Sequence, residues 1–196
     1  MRQRGVTLIE LIIFIVIVSV AVAATLTALS AIGARSSDPL LRKQAMLRAE
    51  SLLEEVALAH FTFCHPDDAK AESAVSAADC ATLPEAFSHA ASEARPYYNI
   101  NDYVTGAGAA TSFTWGDASG DVVTDATGAP MLPAGYRALV TITPVAGFGP
   151  AGMQIGTAAG SADTDVLHIS VDVRYGDNQH IVLDRYRTRY APNAMP

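Results

Sequence analysis

Gly5-Val6-Thr7-Leu8-Ile9-Glu10 is the stretch on which the reading of this chain turns. Arg2 and Arg4 precede it, and the 24 residues from Leu11 to Ala34 carry no charge. At 1.5 Å of rise per residue such a run makes a helix of roughly 36 Å, long enough to cross a bilayer. Glu10 falls in the first turns of that helix. A lone carboxylate costs on the order of 3 kcal/mol at the centre of a bilayer. Something must offset that cost, so Glu10 is a functional candidate.

Three plainer readings compete. A secretory signal also has a basic start, an apolar core and small residues at its cut site, for which Ala21-Val22-Ala23 would serve. An acid at the head of the apolar region has no role in such a signal. An ordinary single-pass anchor leaves Glu10 equally unexplained. A helix buried in a soluble core should show a polar face, whereas only Thr7, Ser19, Thr25, Thr27 and Ser30 interrupt this one.

At 196 residues the chain has room for one domain plus a protruding helix. Thirteen basic side chains stand against twenty acidic ones, a net charge of −7. Loss of Arg2 and Arg4 with a leader would leave eleven against twenty. So acidic a chain offers no electrostatic reason to bind nucleic acid. Cys64 and Cys80 are the two cysteines, and in an exported domain such a pair reads as one disulfide worth roughly 3 kcal/mol. A zinc site adding His65 and His89 is conceivable, but the spacing matches no common ligand pattern. Arg2 and Arg4 favour a cytoplasmic N-terminus, although Arg35, Arg42, Lys43 and Arg48 follow the apolar run. The cysteines decide for an oxidising compartment beyond the membrane.

Ser37-Asp38-Pro39 predicts either a kink or a break, with Asp38 capping a new helix and Pro39 at its first position. From Leu40 to about His60 the period is helical again. Leu41, Ala45, Ala49, Leu52, Leu53 and Val56 share one face, and Arg42, Lys43, Glu50, Glu54 and Glu55 mostly hold the other. Residues 61–135 read as a long loop with a short helix near Pro84–Ala94. Tyr97, Tyr98, Ile100 and Tyr103 would dock that loop on the core. A short strand is expected at Ser112–Trp115 and firmer ones at Tyr136–Pro144, Val166–Tyr175 and His180–Tyr190. The last two should join through Gly176-Asp177-Asn178-Gln179, and Val145–Asp165 should be loop. Helix followed by antiparallel sheet gives the α+β class.

The Gly5–Glu10 pattern resembles the leader of type IV pilins and pseudopilins. That resemblance implies that prepilin peptidase cuts after Gly5 and methylates Val6, and that Glu10 pairs with the terminal amine of a neighbouring subunit. Shorter stretches are similar to MshD-like minor pilins of mannose-sensitive haemagglutinin (MSHA) pilus systems. They are Ser37-Asp38-Pro39, Phe63-Cys64-His65-Pro66-Asp67-Asp68, Tyr98-Asn99-Ile100-Asn101-Asp102-Tyr103 and Tyr186-Arg187-Thr188-Arg189-Tyr190-Ala191-Pro192-Asn193. Two departures stand out: Val6 replaces the usual phenylalanine of major pilins, and the cysteines come early in the head. The domains implied are a leader at 1–5, a filament-core helix at 6–34, an amphipathic helix at 35–60 and a pilin-like head at 61–196, its sheet at 136–190.

The expected function is structural: a minor pilin for assembly of a pilus that attaches to surfaces. The expected partners are other pilin subunits, prepilin peptidase, the inner-membrane assembly platform and membrane lipid. A type II secretion pseudopilin and a membrane-anchored periplasmic binding domain are the alternatives. No catalytic residue, metal or cofactor is expected. His60, His65, His89, His168 and His180 are scattered, and no G-x-S-x-G elbow or dinucleotide motif occurs. Asp117, Asp121, Asp125, Asp163 and Asp165 lack the spacing of an EF-hand and read as solvated loop acids, calcium being the lesser reading.

Overall fold

The structure, a computed structural model, describes residues 7–89, 93–116, 121–124, 129–131, 134–156, 164–176 and 178–189. It divides into two compact units, 1–43 and 44–196.

Helix α1 runs from Leu8 to Leu58 without interruption. Of the two readings of Ser37-Asp38-Pro39, the break is not made, for Pro39 lies inside the helix. Proline removes a single N–H from the ladder and its ring crowds the preceding turn, which makes for a local cost. The helical turns on both sides outweigh it. In the first unit the side chains from Leu8 to Ser30 are all exposed, and this stretch is long and apolar enough to span a membrane. The hydroxyls that interrupt it bond back to their own helix. Ser19 Oγ donates to Ile15 O (2.7 Å), Thr27 Oγ1 to Ala23 O (2.8 Å) and Ser30 Oγ to Leu26 O (2.8 Å). Such back-bonding lets polar residues sit in hydrocarbon without an orphaned donor.

In the second unit a helix segment packs on a sheet, the α+β architecture. Ala45, Ala49, Leu52 and Val56 form the buried stripe of α1, at the three- and four-residue spacing that faces a core. The sheet comprises β1 (Ala110–Trp115), β2 (Asp121–Val122), β3 (Tyr136–Pro144), β4 (Val166–Tyr175) and β5 (Gln179–Thr188) in the order β2-β1-β3-β4-β5. All neighbours are antiparallel except the two-residue β2, which runs parallel to β1. Register places Val140 opposite Val171 and Ile142 opposite Ile169, so the apolar alternation of β3 continues across β4. These four are fully buried, each adding roughly 2 kcal/mol of transfer free energy. Tyr136 Oη donates to Gln44 Oε1 at 2.7 Å, fixing α1 against β3.

Two backbone positions depend on glycine or its closest substitute. The β4–β5 turn needs left-handed residues, which Gly176 and Asn178 supply at φ of 53° and 69°. Gly156, at φ +83°, brings its Cα so close to Val145 O that any β-carbon would collide with it.

The region 61–135 holds more order than a loop. It contains β1, β2 and 3₁₀ turns at Ala77–Asp79 and Ile100–Tyr103. The expected helix near Pro84–Ala94 is absent from the described residues 84–89. Pro84 instead bridges Cys64, with His65 N donating to Leu83 O and Glu85 N to Phe63 O, both at 2.9 Å. On its other side the 60–64 segment meets 98–100, where His60 N donates to Tyr98 O (3.0 Å) and Ile100 N to His60 O (2.8 Å). Pairing on both flanks draws this segment out straight and holds 83–85 extended, where a helix would have to start.

Candidate functional site

Chemistry gathers at two places, one in each unit. In the first, Glu10 stands in the opening turn of α1, where Glu10 N and Leu11 N both donate to Thr7 O (3.1 and 3.2 Å). A carboxylate is favoured there by the helix dipole. Its side chain is exposed among exposed apolar neighbours such as Ile9, Ile13 and Phe14, and it has no polar partner among the described residues. Gly5 and Val6, where cleavage and methylation are expected, lie outside the described residues.

In the second unit the end of α1, the disulfide-bearing segment and the 93–103 stretch share one polar network. Cys64 and Cys80 are joined, with Cα atoms 5.7 Å apart, which excludes them as metal ligands. Asp68 closes the same loop a second time. Its Oδ1 accepts from Lys70 N and Ala81 N (2.8 and 2.9 Å), and its Oδ2 from Thr82 N and Leu83 N (both 2.8 Å). Those backbone donors, Thr82 and Ala81 foremost, hold the Asp68 carboxyl well below the usual range.

Glu55, on α1, anchors the other end. Arg95 Nε and Nη2 form a fork on its two oxygens (2.7 and 2.6 Å), and Tyr103 Oη donates to Oε1 at 2.9 Å. Burial first, and then Glu55, push the Tyr103 hydroxyl to a raised pKa, so it stays a donor. Asn99 and Asp102 cap the 3₁₀ turn reciprocally: Asn101 N donates to Asn99 Oδ1 (3.1 Å) and Asn99 N to Asp102 Oδ2 (2.9 Å). Asn99 Nδ2 also reaches Thr62 Oγ1 at 3.0 Å. Across the head, the Arg189 guanidinium lies over Phe61 and Phe63, 3.8 and 4.0 Å from the ring centres, and donates to Phe61 O at 3.0 Å.

The five histidines are dispersed. His60 stacks on Tyr98 and His89 on Tyr97; His65 lies near Asp67, and His168 and His180 sit beside Asp184 and Asp172 on the sheet. No set of three or more His, Cys, Asp or Glu able to hold a metal occurs among the described residues. Of the loop acids, Asp117, Asp125 and Asp163 lie outside the described residues, Asp121 opens β2, and Asp165 O accepts from Arg189 N at 2.8 Å. A groove of about 320 Å³ along α1 contains Ser51 beside Arg48 and Trp115; a cavity of about 500 Å³ contains His60 beside Glu93 and Tyr98. Neither places a serine, threonine or cysteine beside a histidine among its described lining residues.

Residues 1–26 match a family model described as a prokaryotic N-terminal methylation motif. The chain carries the N-methylation signature of type IV pilin-like and pseudopilin proteins. No curated protein and no solved structure matches it. The motif covers Gly5, Val6 and Glu10 together with the exposed start of α1, and it implies processing by prepilin peptidase and assembly with other pilins. The exposed apolar helix fits a membrane anchor. Glu55, Asp68, Arg95 and Arg189 were not singled out as site residues from sequence. Their roles depend on partners up to 128 positions away, and nothing in their immediate neighbours signals it.

Proposed function

We propose that this protein is a minor pilin of an MSHA-like type IV pilus, with a structural role in initiating or decorating a filament that attaches to surfaces. It is inserted in the inner membrane as a precursor with its head in the periplasm, cut after Gly5, methylated on Val6 and passed by the assembly platform into the filament. One observation carries this reading: a carboxylate, Glu10, with no polar partner among the described residues, on the exposed apolar stretch Leu8–Ser30 that opens with a methylation motif. A carboxylate in apolar surroundings must find a cation or become neutral. The mature N-terminus of an adjoining subunit supplies one and sets the axial register of the helices.

Glu10→Ala removes the charge, so membrane insertion and cleavage proceed, while entry into filaments falls. Removing one member of a desolvated ion pair costs about 3–5 kcal/mol, a loss of at least a hundredfold in the ratio of filament to membrane subunit. That ratio is measured by immunoblot of sheared filaments against membranes. An unchanged ratio removes the ion-pair role, and absence of the wild-type subunit from sheared surface filaments removes the pilus in favour of a secretion pseudopilus.

A further inference from the structure

Glu85 is the buried acid that nothing above employs. It is only 7% exposed, and its Oε1 has no hydrogen-bond partner among the described residues. Its backbone is pinned, with Glu85 N donating to Phe63 O one residue from the disulfide. The groups that face it are acids and a phenol: Asp102 from the 3₁₀ turn, and Glu93 and Tyr98 from the stretch before it. His89 and His65 bear on Asp102, and Arg95 is already committed to Glu55 through both Nε and Nη2. Residues 90–92, Ala-Ala-Ser, bring no further charge. An ionised Glu85 would therefore lie buried under the influence of two other carboxyls, with no cation of its own among the described residues.

We propose that Glu85 is an acid latch: residues 84–89 and 93–102 stay closed on the head while its carboxyl is protonated, and they detach as it ionises. Burial first, then Asp102 and Glu93, push the Glu85 carboxyl up to about 8 from 4.5. Burial also raises Asp102, to about 6, against the opposing bond from Asn99 N–H. Both acids hold protons in the closed state that they would lose in the open one. The closed state is thus fully favoured below about pH 4.5 and loses ground as pH rises to about 8. The disulfide and the Asp68 clamp keep 64–83 in place throughout, which confines the opening to the segment beyond them.

The test is hydrogen exchange by mass spectrometry on the full chain in detergent micelles between pH 6 and 8, with protection factors corrected for intrinsic exchange. Protection of 84–89 and 93–102 should fall as pH rises, by up to about tenfold per pH unit for each proton released, while β4 peptides stay level. Glu85→Gln should keep 84–89 and 93–102 protected and reduce the slope by the share of one proton. Level protection in the wild type, or an undiminished slope in Glu85→Gln, overturns the latch. Should the Gln variant fail to fold, infrared spectroscopy of the chain in a Glu10→Gln background decides. A carboxylic-acid C=O band must persist at pH 7, where Asp102 is already ionised, and its absence refutes the proposal.

Discussion

The first turns of α1 and the polar network of the head treat the same side-chain chemistry in opposite ways. From Leu8 to Ser30 apolar groups face outward, the hydroxyls turn back onto their own helix, and the one carboxylate is left without a partner. In the head the apolar groups are inside, and the carboxylates of Glu55 and Asp68 are bound by donors drawn from distant parts of the chain. The head finds partners for these two carboxylates within its own chain, although Glu85 Oε1 finds none among the described residues. The helix turns its apolar groups and Glu10 outward, and Glu10 has no polar partner among the described residues.

Paired truncations break this comparison most directly. Ile169→Ala, in the buried register of β3 and β4, should cost the head about 3–4 kcal/mol, whereas Ile13→Ala should leave head unfolding unchanged. Urea titration of each variant in micelles, followed through the near-ultraviolet signal of Trp115, tests both; a comparable loss from Ile13→Ala would mean that the helix is part of the head's folding unit. Close behind is the disulfide. Cys64→Ser should cost about 3 kcal/mol by the same titration, and labelling of both thiols in native protein would contradict the bridge.

Acid sharpens the contrast within the head. The Asp68 pKa is depressed in the folded state, so its contribution is present above the ordinary carboxylate range and lost as pH falls below about 3.8. Asp68→Asn should flatten the acid limb of head stability at 64–83 and leave the neutral limb as it was; an acid limb unaltered in Asp68→Asn would show that other carboxylates govern it. Arg189→Ala comes next. It removes a cation held over two rings, and about 1–2 kcal/mol of head stability should go with it. Smallest of all is Ser19→Ala, whose hydroxyl serves its own helix. Its effect on head stability and on filament entry should stay within about 0.5 kcal/mol, and a larger loss of filament entry would expose a contact between subunits.

Much of the fold is legible in local pattern. Alternation at Ala138, Val140 and Ile142, and at Leu167, Ile169, Val171 and Val173, places β3 and β4 within their observed bounds, and Gly176 with Asn178 marks their neighbour's turn. The Leu8–Ser30 helix follows from length and apolarity, and the disulfide from a single pair of cysteines after an apolar N-terminal run. Where local signals misled, nonlocal terms had won. Pro39 signals a boundary, yet the turns on either side carry the helix through. Pro84 and the residues after it suggested a short helix, yet pairing with Phe63, Cys64 and His65 holds 83–85 straight.

The sequence by itself determined the apolar helix, its lone acid, the methylation motif and the alternating strands, because each is a property of neighbours at fixed spacing. Only the tertiary structure decided which acids are clamped, paired or stranded. Glu55 meets Arg95 across 40 positions, Asp68 meets Leu83 across 15, and Glu85 meets no cation among the described residues. A carboxylate's protonation and its worth depend on which distant donors or charges the fold brings within about 3–6 Å, and that is a property of the packed chain.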